Sequence, residues 1–301
     1  MSPAIAARSP LKIAFGAAPN EVFEVGLPVL AGESVEAIFG PARAAGHSGA
    51  FALFKVDDWL LGAASVPIDE GHEAASRALY AELLLATRGL HLARIWNYVP
   101  AINECGPTGL EHYQSFCRGR SLAFEQQFGA GFKASLPAAS AVGSRAAELK
   151  VVFAACPAPL RHVENPLQVA AYDYPREYGP RAPSFSRATI VPNGERVRVF
   201  LSGTAAIRGH ATVAPHDTRR QLDCTLENLS ELGVTCGLGS QLDAGVGLTR
   251  HFKIYLRHAG DQPWVAAALE ERLLQPGDLV SYLHADICRA SLNLEIEATL
   301  W

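Results

Sequence analysis

No run of Lys and Arg, no C-x-x-C pair and no long apolar stretch occurs in this sequence of 301 residues. Without a basic block, and at a formal net charge of -4, the chain has no electrostatic footprint for nucleic acid or an anionic membrane. A small molecule is the expected partner. No apolar run approaches the roughly 20 residues of a spanning helix. The opening, MSPAIAARSPLKIAF, lacks a charged segment followed by an unbroken apolar one, so a cytoplasmic protein is expected. Six scattered cysteines (Cys105, Cys117, Cys156, Cys224, Cys236, Cys288) and ten histidines without an H-x-x-x-H pair give no metal site and no disulfide framework. G-x-G-x-x-G, P-loop and G-x-S-x-G motifs are missing too, which removes the commonest dinucleotide, NTP and serine-hydrolase chemistries.

What is present suits a folded globular protein: 49% hydrophobic residues, 19% charged and 8% aromatic. The length allows one large domain or two of about 150 residues. Two stretches follow one plan. In the first, FALFKVDDWLLGAASVP (51–67) reads as paired strands, ASRALYAELLLATRGL (75–90) as a helix stopped by Gly89, and ARIWNYVPAIN as a strand. A second helix around LEHYQSFCRGRSLAFEQQF and a closing hairpin from SLPAASAVG to LKVVFAA complete it. The second runs through SFSRATIVPNGERVRVFLSGTAAI, the helix TRRQLDCTLENLSELG, the strand LTRHFKIYLRHA and a helix around PWVAAALEERL. It ends in a hairpin of DLVSYLHADIC and SLNLEIEATL, with Arg289 and Ala290 near its turn. The boundary falls at CPAPLRHVENP (156–166), where three prolines interrupt both periodicities. The expected fold is α+β, with units 1–156 and 157–301, each a mixed sheet with helices on one face.

In the last segment, Leu292, Leu294, Ile296, Ala298 and Leu300 alternate with Asn293, Glu295, Glu297 and Thr299. Two glutamates therefore share a face that is either solvated or turned into a pocket. Pattern alone leaves both open.

SGTAAIRGHATV, QLDCTLENLSEL and LEIEATL, in this order, resemble the small RidA/YjgF proteins, and the first half follows the same order less closely. The chain is thus similar to two fused RidA/YjgF-like, chorismate-mutase-like units. RIWNYVPAIN, YQSFCRGRSLAF, LPAASAVG, ENPLQVAAYDYPREYGPRAPSFSRA, SGTAAIRGH and CRASLNLEIEA together resemble the chorismatase family over roughly two hundred residues. That resemblance implies an enzyme that releases pyruvate from chorismate without a cofactor.

Such an enzyme must hold two carboxylates and protonate an enol-ether carbon. Arginine forks suit the first task and a carboxylic acid kept protonated by burial suits the second. The resemblance assigns the acid to Glu295 and leaves Glu297 structural. Cys288 matches a position that is cysteine in the branches forming 3-hydroxybenzoate and small in the hydrolytic branch, so an aromatic product is implied, with 4-hydroxybenzoate as an additional one. Substrate contacts are expected from Tyr178, Arg181 and Arg187, in the Y-G-P-R and S-F-S-R-A motifs. Further contacts are expected from Arg120 and Tyr113 on the first-half helix, and from Gly203 and Ala206 on a strand of small residues. Arg118 and Arg120 could equally form the exposed face of that helix. Other readings are a hydrolytic chorismatase, a RidA-like enamine or imine hydrolase, and a non-catalytic metabolite-binding module. The hydrolase lacks its pocket arginine, since DLVSYLHAD carries none. Monomer and trimer are both compatible with two fused units.

Overall fold

The computed structural model describes residues 10–15, 21–193, 196–243 and 247–301. The first nine residues of the opening segment and the tip of the expected strand pair, 194–195, lie outside them. Strands β1 (Pro10–Ala14), β2 (Val22–Gly32) and β3 (Val35–Glu36) precede the first repeat. That repeat holds β4 (Arg43–Ser48), β5 (Phe51–Val56), β6 (Trp59–Val66), α1 (His72–Ala86), β7 (His91–Pro100), α2 (His112–Phe128), β8 (Ala138–Ser144) and β9 (Leu149–Cys156). The second holds β10 (Arg161–Val163), β11 (Ala188–Asn193), β12 (Arg196–Ala205), a small hairpin of β13 (Ile207–Arg208) and β14 (Ala211–Thr212), and α3 (Thr218–Cys236). It continues with β15 (Arg250–Leu256), α4 (Gln262–Arg272), β16 (Leu279–His284) and β17 (Leu294–Leu300).

The duplication is visible in the strand orders. One sheet runs β4-β5-β6-β9-β7-β8, and the second repeat contributes β10-β11-β12-β17-β15-β16 in the same arrangement. In each, the two strands joined by the second helix are parallel, β7 with β8 and β15 with β16. The second sheet then continues through β2, β1 and β3, so these three strands extend the later repeat's sheet rather than the earlier one's.

Neither closing hairpin forms. β9 lies between β6 and β7, and β17 between β12 and β15, so β8 never pairs with β9, nor β16 with β17. Hydrophobic alternation fixes which face a strand buries but is silent about its neighbour. The connection from β16 to β17, residues 285–293, is longer than the two to five residues usual for a hairpin loop and passes the end of β15 instead.

Each sheet carries its helices on one face and meets the other sheet on its second face. Leu79, Leu83, Phe116 and Phe124 of α1 and α2 pack on Ile95, Val99 and Phe153. Leu222, Leu229, Leu232 and Leu269 of α3 and α4 pack on Ile254, Ile296 and Leu300. The α3 positions recur at helical spacing, its start is capped by Asp217, which accepts from the Arg220 N–H at 3.1 Å, and it stops at left-handed Gly237. Between the sheets lie Trp96, Tyr98, Val152, Phe200, Tyr255 and Leu283. β17 is consequently buried on both faces. Leu294, Ile296 and Leu300 sit under the helices, while Glu295 and Glu297 face the other sheet. No residue of this strand's polar stripe is solvated.

Candidate active site

A cavity of about 400 Å3 opens where β8, β12 and the start of β17 converge. That is within the size range of small-molecule sites. The edge of β8 is held there by side chains: Ser202 Oγ accepts from the Ala139 N–H at 2.9 Å and donates to the Ser186 carbonyl at 2.6 Å. The Ala138 N–H donates to Thr189 Oγ1 at 2.8 Å. The β12–β17 register shifts between Leu201 and Thr204, a bulge of the kind that re-aims side chains beside active sites. Gly203 falls in this shift, and a Cβ on it would overlap the Glu295 carboxyl. Gly203 thus makes the space that Glu295 occupies.

Glu295 lines the cavity, is 3% exposed, and its Oε1 has no hydrogen-bond partner. Burial, and then the charge of Glu297, push its carboxyl up to about 8, against weaker opposing pulls from Arg94 and Arg187. Burial thus keeps it in the carboxylic-acid form at neutral pH, at the wall of the cavity. Glu297, two residues on, is equally buried but accepts from Arg94 and Trp96 and is ion-paired to Lys253; burial pushes its carboxyl up, but Lys253 and then Arg94 outweigh it and draw the carboxyl down to about 2. One strand face therefore holds a protonated acid beside an ionised one.

Three guanidinium groups line the same cavity. Arg120 is 1% exposed, its Nε has no partner, and its surroundings are the Phe116 and Tyr80 rings at 5.0 and 6.0 Å and Cys117 Sγ at 3.9 Å. Arg187 donates to the Tyr174 hydroxyl at 2.7 Å and has its nearest carboxylate, Glu164, at 4.0 Å. Arg289 donates to the His210 carbonyl and to Thr212 Oγ1, packs 4.0 Å from the Tyr178 ring, and keeps a buried Nη2 unpartnered. A buried cation short of carboxylates is costly unless an anion completes it. The cavity therefore favours a small organic anion.

Cys288 lines the cavity with its thiol pushed up to about 12, by burial first and by Glu295 second. It is present as the neutral thiol, a weak donor, rather than as a nucleophilic thiolate. Among the described residues, no group of three or more His, Cys, Asp or Glu side chains is placed to hold a metal ion, and no helix is long and apolar enough to cross a membrane.

Of the residues singled out in the sequence, the structure brings together Glu295, Cys288, Tyr113, Arg120, Tyr178, Arg187 and Gly203. It leaves out two. Arg181 is outside the lining and pairs with Glu125 at 2.7 Å, both partly exposed. Ala206 is buried in the inter-sheet core, while its neighbours Ala205 and Ile207 line the cavity. Arg118 and Arg120 separate: the first is exposed and paired with Glu73, the second buried. Arg289, Ser140 and Glu111 also line the site without having been assigned to it. For Arg289 the available signal was its place next to Cys288. Ser140 and Glu111 carried none.

A family model described as "Chorismatase FkbO/Hyg5-like, N-terminal" matches residues 39–155. A 3-hydroxybenzoate synthase from Streptomyces hygroscopicus is 38% identical over 258 residues, which cover 81% of this chain and 74% of that protein. The chain belongs to the chorismatase family. A chorismatase from Streptomyces rapamycinicus is also 38% identical, over 87% of this chain and 80% of its own length. A chorismatase crystal structure superposes with a TM-score of 0.77 at 33% identity, covering 86% of this family member and 80% of that chain. The family thus accounts for both repeats of the fold.

Proposed function

We propose that this protein releases pyruvate from chorismate and forms 3-hydroxybenzoate. The observation that carries the reading is Glu295: a buried carboxyl with a free Oε1 and a raised pKa, in a cavity whose guanidinium groups lack full carboxylate partners. Chorismate is a dianion with an enolpyruvyl ether. Arg120, Arg187 and Arg289 suit its two carboxylates, with Tyr113 and Tyr178 beside them. The relatives named chorismatase and 3-hydroxybenzoate synthase support the same substrate.

In this mechanism Glu295 gives its proton to the methylene carbon of the enol ether, and an oxocarbenium-like centre forms at the adjacent carbon. Loss of pyruvate accompanies attack of the ring hydroxyl on the neighbouring ring carbon, which leaves an epoxide-like intermediate. The proton of the attacking hydroxyl restores Glu295, and opening of the epoxide-like ring with transfer of a ring proton to the oxygen gives the phenol. Pyruvate and hydroxybenzoate together contain all the atoms of chorismate, so neither water nor a redox partner is consumed. Cys288, as a neutral thiol at the cavity wall, is suited to steering the rearrangement by contact and weak hydrogen bonding. The hydrolytic alternative needs water in the ring hydroxyl's place, and Cys288 where that branch has a smaller residue speaks against it.

The test is incubation of the purified protein with chorismate, with pyruvate followed by a coupled dehydrogenase and aromatic products resolved by chromatography. Pyruvate release with 3-hydroxybenzoate as the main aromatic product is expected. A dihydroxycyclohexadiene carboxylate in its place would move the protein to the hydrolytic branch.

A further inference from the structure

Between the two sheets lies a group of four charged side chains that the proposed reaction does not use. Lys253 Nζ contacts Glu297 Oε1 at 2.6 Å and Glu36 Oε2 at 2.7 Å, and Arg94 Nη2 contacts Glu297 Oε2 at 2.7 Å. All four are at most 2% exposed. They come from four separate strands, β3, β7, β15 and β17, and their formal charges sum to zero. Stability alone is a weak reason for such a group, because apolar side chains of similar volume often serve a core as well.

Its location supplies a better reason. Glu297 lies two residues from Glu295 on the same face of β17. Arg94 reaches from Glu297 to Ser140 Oγ at 2.9 Å, and Ser140 lines the cavity. Glu297 thereby neutralises Arg94, one of the two cations that act on the candidate acid, the other being Arg187. We propose that this buried quartet is a positioning device for Glu295: by occupying Arg94 and Lys253, Glu297 keeps Glu295 in its proton-donating form, with Glu36 balancing the second cation. The inference rests on the reading of Glu295 as the acid and extends it to residues that touch no substrate.

Charged and titratable groups face the pair from both sides. β7 contributes Arg94 and Tyr98, β15 contributes His251, Lys253 and Tyr255, and β3 contributes Glu36. On the cavity side are Arg120, Arg187, Arg289 and Cys288, with Glu111, Tyr113, Tyr174, Glu177, Tyr178 and His216 elsewhere in the lining. Burial holds Tyr98 and Tyr255 neutral and lowers the pKa of His251. Removing the Glu297 charge leaves two cations against Glu36 alone. The resulting net positive charge favours ionised Glu295, so the acid is lost at a lower pH.

The experiment is a carboxyl carbon-13 NMR titration of glutamate-labelled protein, in which the Glu295 resonance is the one missing from Glu295→Gln. In wild type the midpoint is expected at about 8. In Glu297→Gln it should fall by at least about one pH unit, a tenfold change in the ionisation constant. In Glu297→Gln/Lys253→Met, which restores neutrality, it should return toward wild type. The alkaline limb of kcat for pyruvate release should move with these midpoints, while KM changes little. An unmoved midpoint in Glu297→Gln, or a double variant that behaves like the single one, overturns the inference. If Glu297→Gln does not fold, Glu36→Gln on the edge strand should shift the midpoint the same way by a smaller amount, and no shift overturns the inference equally. A wild type inert toward chorismate would instead defeat the functional reading, which the NMR midpoints do not depend on.

Discussion

Replacing Glu295 with Gln should stabilise the folded protein while abolishing its chemistry. The carboxyl is pushed from the ordinary 4.5 up to about 8 in the folded state, so the folded chain holds a proton that the unfolded chain releases. The sign follows from linkage: a raised carboxyl pKa contributes fully below about 4.5, and its contribution is lost as pH climbs toward 8. At pH 7 the unfolded state has gained about 2.5 pH units of ionisation that the folded state has not. At about 1.4 kcal/mol per unit this is about 3 kcal/mol against folding. Gln has the same shape and cannot ionise, so it removes that cost. Denaturant unfolding of both proteins at pH 5, 7 and 8 should give a gap of about 1 kcal/mol at pH 5 that widens with pH in favour of Glu295→Gln. Parallel curves, or a variant less stable at pH 8, would mean that Glu295 is ionised in the native state and would refute the reasoning.

Other perturbations separate the members of the site. Gly203→Ala forces the Glu295 carboxyl to move, so kcat should fall at least about a hundredfold, comparable to losing a positioned acid, with the circular dichroism spectrum unchanged. Cys288→Ala should shift the chromatographic product profile away from 3-hydroxybenzoate at a similar rate of pyruvate formation, and an unchanged mixture would reduce Cys288 to packing. Arg120→Met should raise KM for chorismate by roughly tenfold or more through loss of a buried charge-assisted contact. Arg181→Ala, which breaks only a partly exposed pair with Glu125, should leave kcat/KM within about twofold and stability within about 1 kcal/mol.

The helices and the order of strands were legible because Leu79 and Leu83, or Leu222, Leu229 and Leu232, recur at spacings that only a helix places on one side. Strand neighbours were not, because the alternation of β17 is the same whether it pairs with β16 or slips between β12 and β15. Nor does alternation separate a solvated stripe from one facing a second sheet, and Glu295 was reachable only through the family resemblance. The split between Arg118 and Arg120 was legible in principle, since residues two apart on a helix point about 200° away from each other and cannot both lie on the exposed face. Arg181 looked equivalent to Arg187 in a segment rich in arginine and tyrosine. The difference arises from Glu125, on a helix more than fifty residues away, which no local pattern connects to it.

The central claim is that Glu295 hands a proton to the methylene carbon of chorismate. The most direct measurement is turnover of chorismate in deuterium oxide, with pyruvate trapped at once as lactate and its methyl group analysed by mass spectrometry. Wild type should yield lactate with one deuterium in the methyl group, and Glu295→Gln should yield none above the spontaneous rate. Intact chorismate after incubation with wild type, or Glu295→Gln turning over at the wild-type rate, would contradict the claim.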